Sequence, residues 1–358
     1  MVMKKFALAA LAVGCVLALS TAWLAVPGSS QAAPKLYRVE ARTTTFGGSS
    51  YILGFGMCDL LNKHSEWVRG SVLESSGTPE NIKLVGMSPG KRSRTFFTCS
   101  AEMFDKAKKG EAPFNQDADK FKDLMIMAYQ QSLAVCLVTL DPNIKTLADL
   151  KGKRVATWPK GTTKFDMTQK LIGGAGKEVL DSIKWQFTAY AGYNDMILGK
   201  TDAALAFCPE RGNGVYTTVP KLKELLSKRK VYFVTATPAM RKASGKLYGD
   251  VYGATATLKK GVLGDGLPRQ NVLCFNIVLG WAVYPDMPAD VVYEILKVTT
   301  AHAKDLVTYH AAAKGWGPNN FGAYPAPQKD WHPGAVKFYN ENKIPFGLKY
   351  FEKLYPSE

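Results

Sequence analysis

The sequence predicts an α/β protein of about two domains. Three observations carry this: strand, small-residue turn and helix recur in order, the chain is 358 residues long, and its apolar runs are strand-length. "KLYRVEART" alternates as a first strand, "TTFGGSSY" breaks it, and Tyr51, Ile52, Phe55, Cys58, Leu60 and Leu61 recur at helical spacing up to "NKH". "VRGSVLES" reads as a second strand, "SGTPEN" as a turn and helix start, and "ENIKLVGM" as a short helix. That repeat gathers its loops at the ends of the strands.

"DLMIMAY" and "LAVCLVTL" are continuous apolar runs that fit two buried strands. "DPNIKTLADLKGK" reads as a loop and short helix, "RVATW" as a strand, and "KFDMTQKLIGGAG" as a helix stopped by Gly173, Gly174 and Gly176. "IKWQFTAY", "YNDMILGK" and "TDAALAF" continue as strand, helix and strand, so the second half repeats the design of the first. Between about 212 and 270 the pattern weakens. "VLCFNIVLGWAVYP" is a long strand, "MPADVVYEILKVTTAHAKDLVTYH" one long amphipathic helix, and "HPGAVKFYNEN" a last helix with Pro333 at its start.

The first residues are set aside from the fold. "MVMKK" followed by apolar Phe6 to Val26 and "PGSSQAAPK" has the layout of a signal peptide, residues 1–32, cut near Ala32. An uncleaved anchor and a lipoprotein box ending at Cys15 are the alternatives. The expected location is the periplasm, with the mature chain soluble. Lys4 and Lys5 are the charges removed, so the net charge falls from +16 to +14. Export argues against nucleic acid as the partner of this basic surface, which suits anionic solutes.

Five cysteines remain, at 58, 99, 136, 208 and 274, without C-x-x-C spacing, so zinc and thioredoxin-like sites are not expected. Cys136 and Cys274 read as small buried hydrophobes, although a structural pair is compatible with export. His64, His302, His310 and His332 show no metal-binding spacing, so no metal or other cofactor is expected. The sequence shows no recognisable acid/base frame, which argues for a binding protein over an enzyme.

Four strand ends carry small polar or open turns: "FGGSSY" at 46–51, "SSGTPEN" at 75–81, "TWPKGTTKF" at 157–165 and "CPERGNG" at 208–214. At Gly161, Thr162 and Thr163 free backbone N–H groups would meet an anion; a plain helix cap explains the same residues. The Walker and dinucleotide glycine spacings are missing. Four such turns at one topological place imply a cleft of N–H groups and hydroxyls for a small polar ligand. Among the nearby aromatics Trp158, Phe165, Tyr190, Tyr193, Tyr51 and Phe207, the last two are preferred as cleft residues because they abut polar turns.

The order "FGGSSYILGFGMCDLLNKH", "VLESSGTPENIKLV", "FTCSAEMFDKAKKGEAPF", "IKTLADLKGKRVATWPKGTTKF", "GKTDAALAF", "MPADVVYEILK" and "HPGAVKFYNE" resembles the TAXI branch of TRAP-transporter solute receptors, from about residue 37 to 343. The resemblance implies a type II periplasmic-binding-protein-like fold: two α/β lobes joined by crossing strands, with a central ligand cleft. The implied division is lobe 1 at 35–129, lobe 2 at 130–275, and a return to lobe 1 with C-terminal helices at 276–358. It also implies a monomer that hands a small organic acid or amino acid to an ion-coupled TRAP permease.

On this basis the expected ligand-binding residues are Gly48, Ser49, Ser50, Tyr51, Ser76, Gly77, Thr78 and Ser100 from lobe 1, with Trp158, Gly161, Thr162, Thr163, Phe207 and Arg211 from lobe 2. Arg211 is the first candidate counter-charge, ahead of Lys160 and Lys164. Phe46, Ser50, Trp158, Glu210 and Arg211 depart from the family pattern, as does the absence of a glycine within Thr162-Thr163-Lys164, so the ligand is expected to differ from glutamate-like or dicarboxylate ligands. An enzyme on the same fold, or a receptor docking a membrane sensor, is the alternative.

Overall fold

The computed structural model describes residues 35–355, apart from 213, 249–254 and 318–319. The expected signal peptide lies outside the described residues. Among them, no helix is long and apolar enough to cross a membrane.

The strands are β1 Tyr37–Arg42, β2 Val68–Leu73, β3 Thr95–Ser100, β4 Met125–Thr139, β5 Arg154–Ala156, β6 Lys184–Gln186, β7 Ala203–Pro209, β8 Tyr232–Val234, β9 Thr255–Leu258 and β10 Val272–Val283. They form one curled sheet in the order β2-β1-β3-β10-β4-β7-β5-β6, with β8 on β4 and β9 on β10. β1 runs parallel to β2 and β3, and β5 runs parallel to β6 and β7. Each parallel set is the product of strand–turn–helix units, because a parallel neighbour needs a crossover connection.

β4 and β10 join the two sets. They pair antiparallel with each other over Met125 to Val135, while the far end of β4 pairs with β7 and the near end of β10 with β9. Two hydrophobic clusters result. One holds Leu124, Ile126 to Tyr129, Val278 and Trp281 to Tyr284, and the other holds Leu133 to Val138 with Val272, Cys274, Phe275, Ile277 and Leu279. The fold is therefore type II periplasmic-binding-protein-like, two α/β lobes joined by crossing strands.

The two runs expected as separate strands are one fifteen-residue strand. Gln130, Gln131 and Ser132 interrupt its apolar pattern where it passes between the clusters, and all three are buried. Burying such groups is costly unless they are hydrogen-bonded. Ser132 donates to Asn276 Oδ1 on β10 at 2.6 Å, and the Gln130 carbonyl accepts from the Trp316 indole.

The long helix expected after Met287 is shorter, Ala289–Ala301, with a 3-10 turn at Asp305–Thr308. The chain turns at His302 so that Leu306 and Tyr309 pack on the helix Ser49–His64, where a Cβ on Gly56 would stand 2.7 Å from Leu306. The glycine makes that close approach available. All five cysteines in the described residues are buried and unpaired, in keeping with the reading of Cys136 and Cys274 as hydrophobes.

Candidate functional site

Between the lobes lies a cleft whose empty space, its opening to solvent included, is about 570 Å³. Its polar wall is built from the starts of four helices. Gly48 precedes the helix Ser49–His64, Gly77 precedes Thr78–Gly86, Ser100 precedes Ala101–Lys109, and Thr162 precedes Thr163–Gly173. The first N–H groups of a helix have no partner within it, and its dipole places partial positive charge there. Four such ends around one cavity favour an anion.

The sequence produces these ends by local rules. Ser100 Oγ accepts from Met103 N at 3.4 Å and Thr162 Oγ1 from Phe165 N at 3.2 Å, both serving as side-chain caps. Gly77 has φ of 123°, a conformation open to glycine, which sharpens the entry into its helix.

Of the expected residues, Gly48, Ser49, Ser50, Ser76, Gly77, Thr78, Ser100, Thr163 and Phe207 line the cavity. The others are placed elsewhere, each for a visible reason. Tyr51 is half-buried and packs edge-on against Phe46, with ring centroids 5.1 Å apart. Thr162 is spent on the cap and on donating to Pro159 O at 2.8 Å, so the plain-cap reading holds for it. Gly161 is exposed in the turn, with φ of 83°.

Trp158 sits behind the wall, edge-on to Phe207 at 5.2 Å and to Tyr190 at 4.9 Å. Arg211 does not line the cavity. Beyond β7 the chain turns back, with Arg211 N donating to Val215 O, and its backbone packs so tightly on Gly315 that a Cβ there would lie 2.9 Å from it. None of the described residues of the "CPERGNG" turn lines the cavity, which takes the preceding Phe207 instead, and the fourth polar turn there is that of Ser100.

Among the described residues, the cation that lines the cavity is Lys164. As the second residue of its helix it follows directly from Thr162 being the cap. Its ammonium lies 4.4 Å from the Trp158 ring centre and 5.4 Å from that of Phe207. Burial between the lobes lowers its pKa to about 8. Lys160, by contrast, is exposed.

Sequence reasoning did not assign Thr44, Thr98, Leu133, Val219, Ile277 or Leu279, which also line the cavity with Tyr190. The apolar ones come from the crossing strands and one loop, where their periodicity looks like ordinary core. Ser50 Oγ donates to Gln130 Oε1 at 2.8 Å, Gln131 Nε2 donates to Ser50 Oγ at 2.9 Å, and Gln130 Nε2 donates to Thr98 Oγ1 at 2.9 Å. The cavity wall is thereby bonded to the strand that links the lobes. The polar "QQS" inside an apolar run was the available signal.

The lobes also meet through charge. Glu102, 2% exposed at the start of Ala101–Lys109, receives Lys170 from Thr163–Gly173 at 2.7 Å and Lys106 at 2.9 Å, and Lys170 also pairs with Asp166 at 2.7 Å.

Among solved structures the chain is similar to MatC from Rhodopseudomonas palustris with bound malate, at 14% identity and TM-score 0.48, covering 88% of this chain and 98% of that one. It is similar to the alkanesulfonate-binding protein SsuA from Xanthomonas axonopodis pv. citri bound to MOPS, at 13% identity and TM-score 0.43, covering 91% and 96%. A TRAP periplasmic solute-binding protein from Sulfitobacter sp. NAS-14.1 with bound β-D-galacturonate matches at 10% identity and TM-score 0.42, covering 89% and 92%. No curated protein matches. The NMT1-like family model matches residues 42–342, and the chain belongs to that family.

Proposed function

We propose that the protein is an extracytoplasmic solute receptor that captures a small organic acid and delivers it to an ion-coupled TRAP permease, as a monomeric member of the TAXI branch released after cleavage near Ala32. The observation that carries the ligand class is the cavity of four helix starts and one desolvated lysine. Lys164 would meet the carboxylate, with the hydroxyls of Ser49, Ser100 and Thr163 and the nearby N–H groups completing its hydrogen bonds. Among the described residues no carboxylate lines the cavity, so no acidic side chain there would pair with an α-ammonium group. This favours an organic acid over an amino acid. Leu133, Phe207, Val219, Ile277 and Leu279 suit an apolar ligand body, which points to a monocarboxylate.

Binding, without chemistry, fits a wall of hydroxyls and N–H groups whose ionisable members are Lys164 and Tyr190. A thermal-shift screen of monocarboxylic acids, dicarboxylic acids and amino acids tests the reading. A monocarboxylate at a hundredfold its dissociation constant is expected to stabilise the protein by roughly 2.7 kcal/mol. Stabilisation by amino acids alone, or by no carboxylate at all, would overturn the assignment.

A further inference from the structure

We propose that His64, His302 and Asp305 form a surface site for one divalent transition-metal ion of the zinc type, separate from the cleft. The three residues each offer a ligand atom, and these atoms lie within 4.8 Å of one another. His64 and His302 are 238 positions apart in sequence, yet their rings stack with centroids 3.6 Å apart, and His302 Nδ1 stands 3.4 Å from Asp305 Oδ2. Two donors on one zinc ion at about 2.0–2.1 Å lie roughly 3.4 Å from each other.

The backbone that carries these residues is fixed by its own contacts. His64 ends the helix Ser49–His64 and His302 follows the helix Ala289–Ala301, so the negative ends of two helix dipoles meet beside the cluster and favour a cation. The next residue, Ser65, donates to Glu294 Oε1 at 2.9 Å, tying one helix end to the other helix. Tyr309 donates to Asp59, which holds the Asp305–Thr308 turn against the first helix. A site whose ligands stand on mutually braced elements loses little entropy when an ion binds.

Two imidazoles and one carboxylate select zinc, cobalt, nickel or copper over magnesium and calcium, which prefer all-oxygen sets, and water would fill the remaining positions. The ligands are accessible: the side chains of His302 and Asp305 are 33% and 61% exposed. The chain's other histidines, His310 and His332, are 7% and 1% exposed, and every cysteine among the described residues is buried. Histidine-dependent binding to the folded protein therefore has one place to occur.

The experiment titrates Zn²⁺ into the untagged protein at about pH 7.5 by calorimetry, with Co²⁺ absorption reporting the ligand set. One ion per chain is expected, with affinity at least about tenfold weaker in His64→Ala, His302→Ala and Asp305→Asn, and no response to Mg²⁺. These surface variants are also checked for wild-type melting in the absence of metal, which separates lost ligands from lost folding. No Zn²⁺ binding, or affinity unchanged in either histidine variant, overturns the site, and neither result bears on ligand capture in the cleft.

Discussion

Lys164→Met is expected to weaken carboxylate binding by roughly 10- to 100-fold, the loss of one hydrogen bond to a charged group at about 1.5–3 kcal/mol, while raising the stability of the ligand-free protein. The second effect follows from the burial of the ammonium. Burial lowers the Lys164 pKa to about 8 from its ordinary 10.5, so below pH 8 the protein holds a desolvated charge that the unfolded chain keeps solvated. The native state binds fewer protons than the unfolded state between about pH 8 and 10.5, and this residue's contribution makes stability rise with pH across that window. Removing the ammonium relieves the cost at neutral pH, by roughly 1–3 kcal/mol, while keeping most of the apolar contact with Trp158 and Phe207.

The ligand's pH dependence has the opposite sign. A bound carboxylate favours the charged lysine, so affinity is expected to be flat below about pH 7 and to fall as pH passes 8. In Lys164→Met that fall disappears. Calorimetry with the identified acid at several pH values measures both, and Arg211→Ala is the control expected to leave affinity within about twofold. A Lys164→Met protein that binds as tightly as wild type, with the same pH profile, removes lysine from the site.

Why Lys164 and not Arg211 faces the cleft shows where the sequence was legible. Small polar residues between a strand and an apolar-periodic stretch mark helix starts because glycine and hydroxyl residues satisfy the geometry of those ends, and Gly48, Gly77 and Thr162 stand at such ends. The phase of a helix then follows from which residue is the cap. With Thr162 as the cap, Thr163 and Lys164 fall in the first turn and Thr162 itself is occupied. No comparable rule governs Arg211, whose turn is set by contact with Gly315, about a hundred residues onward. The same limit hid the histidine cluster, since only packing of the helices at Ser49–His64 and Ala289–Ala301 brings His64 to His302. Gln130, Gln131 and Ser132 lie between these cases: three polar residues inside an apolar strand are a local anomaly, but the network they serve with Ser50, Thr98 and Asn276 is tertiary.

Glu102 provides a way to change affinity without touching the cavity. Its carboxylate joins the helix Ala101–Lys109 of one lobe to Lys170 of the other, and Lys170 also lies 5.1 Å from the ring centre of Tyr248. Removing one partner of a buried ion pair costs about 3–5 kcal/mol. Part of that cost falls on lobe closure, because separation of the lobes exposes both charges to water, where they need each other least. Glu102→Gln is accordingly expected to shift the ligand-free protein toward an open form, with a larger radius of gyration in solution scattering, and to weaken the ligand by roughly tenfold through the reduced population of the closed form. Lys170→Met removes the same bridge from the other side. In the double variant Glu102→Gln, Lys170→Met the second substitution should add less than it does alone, a coupling of roughly 1–3 kcal/mol in a double-mutant cycle on ligand affinity. Strict additivity would mean that the bridge has no part in closure. The cavity's own chemistry separates this effect from a damaged site: the fall in affinity above pH 8 that Lys164 imposes persists in Glu102→Gln, displaced to weaker binding at every pH but unchanged in shape.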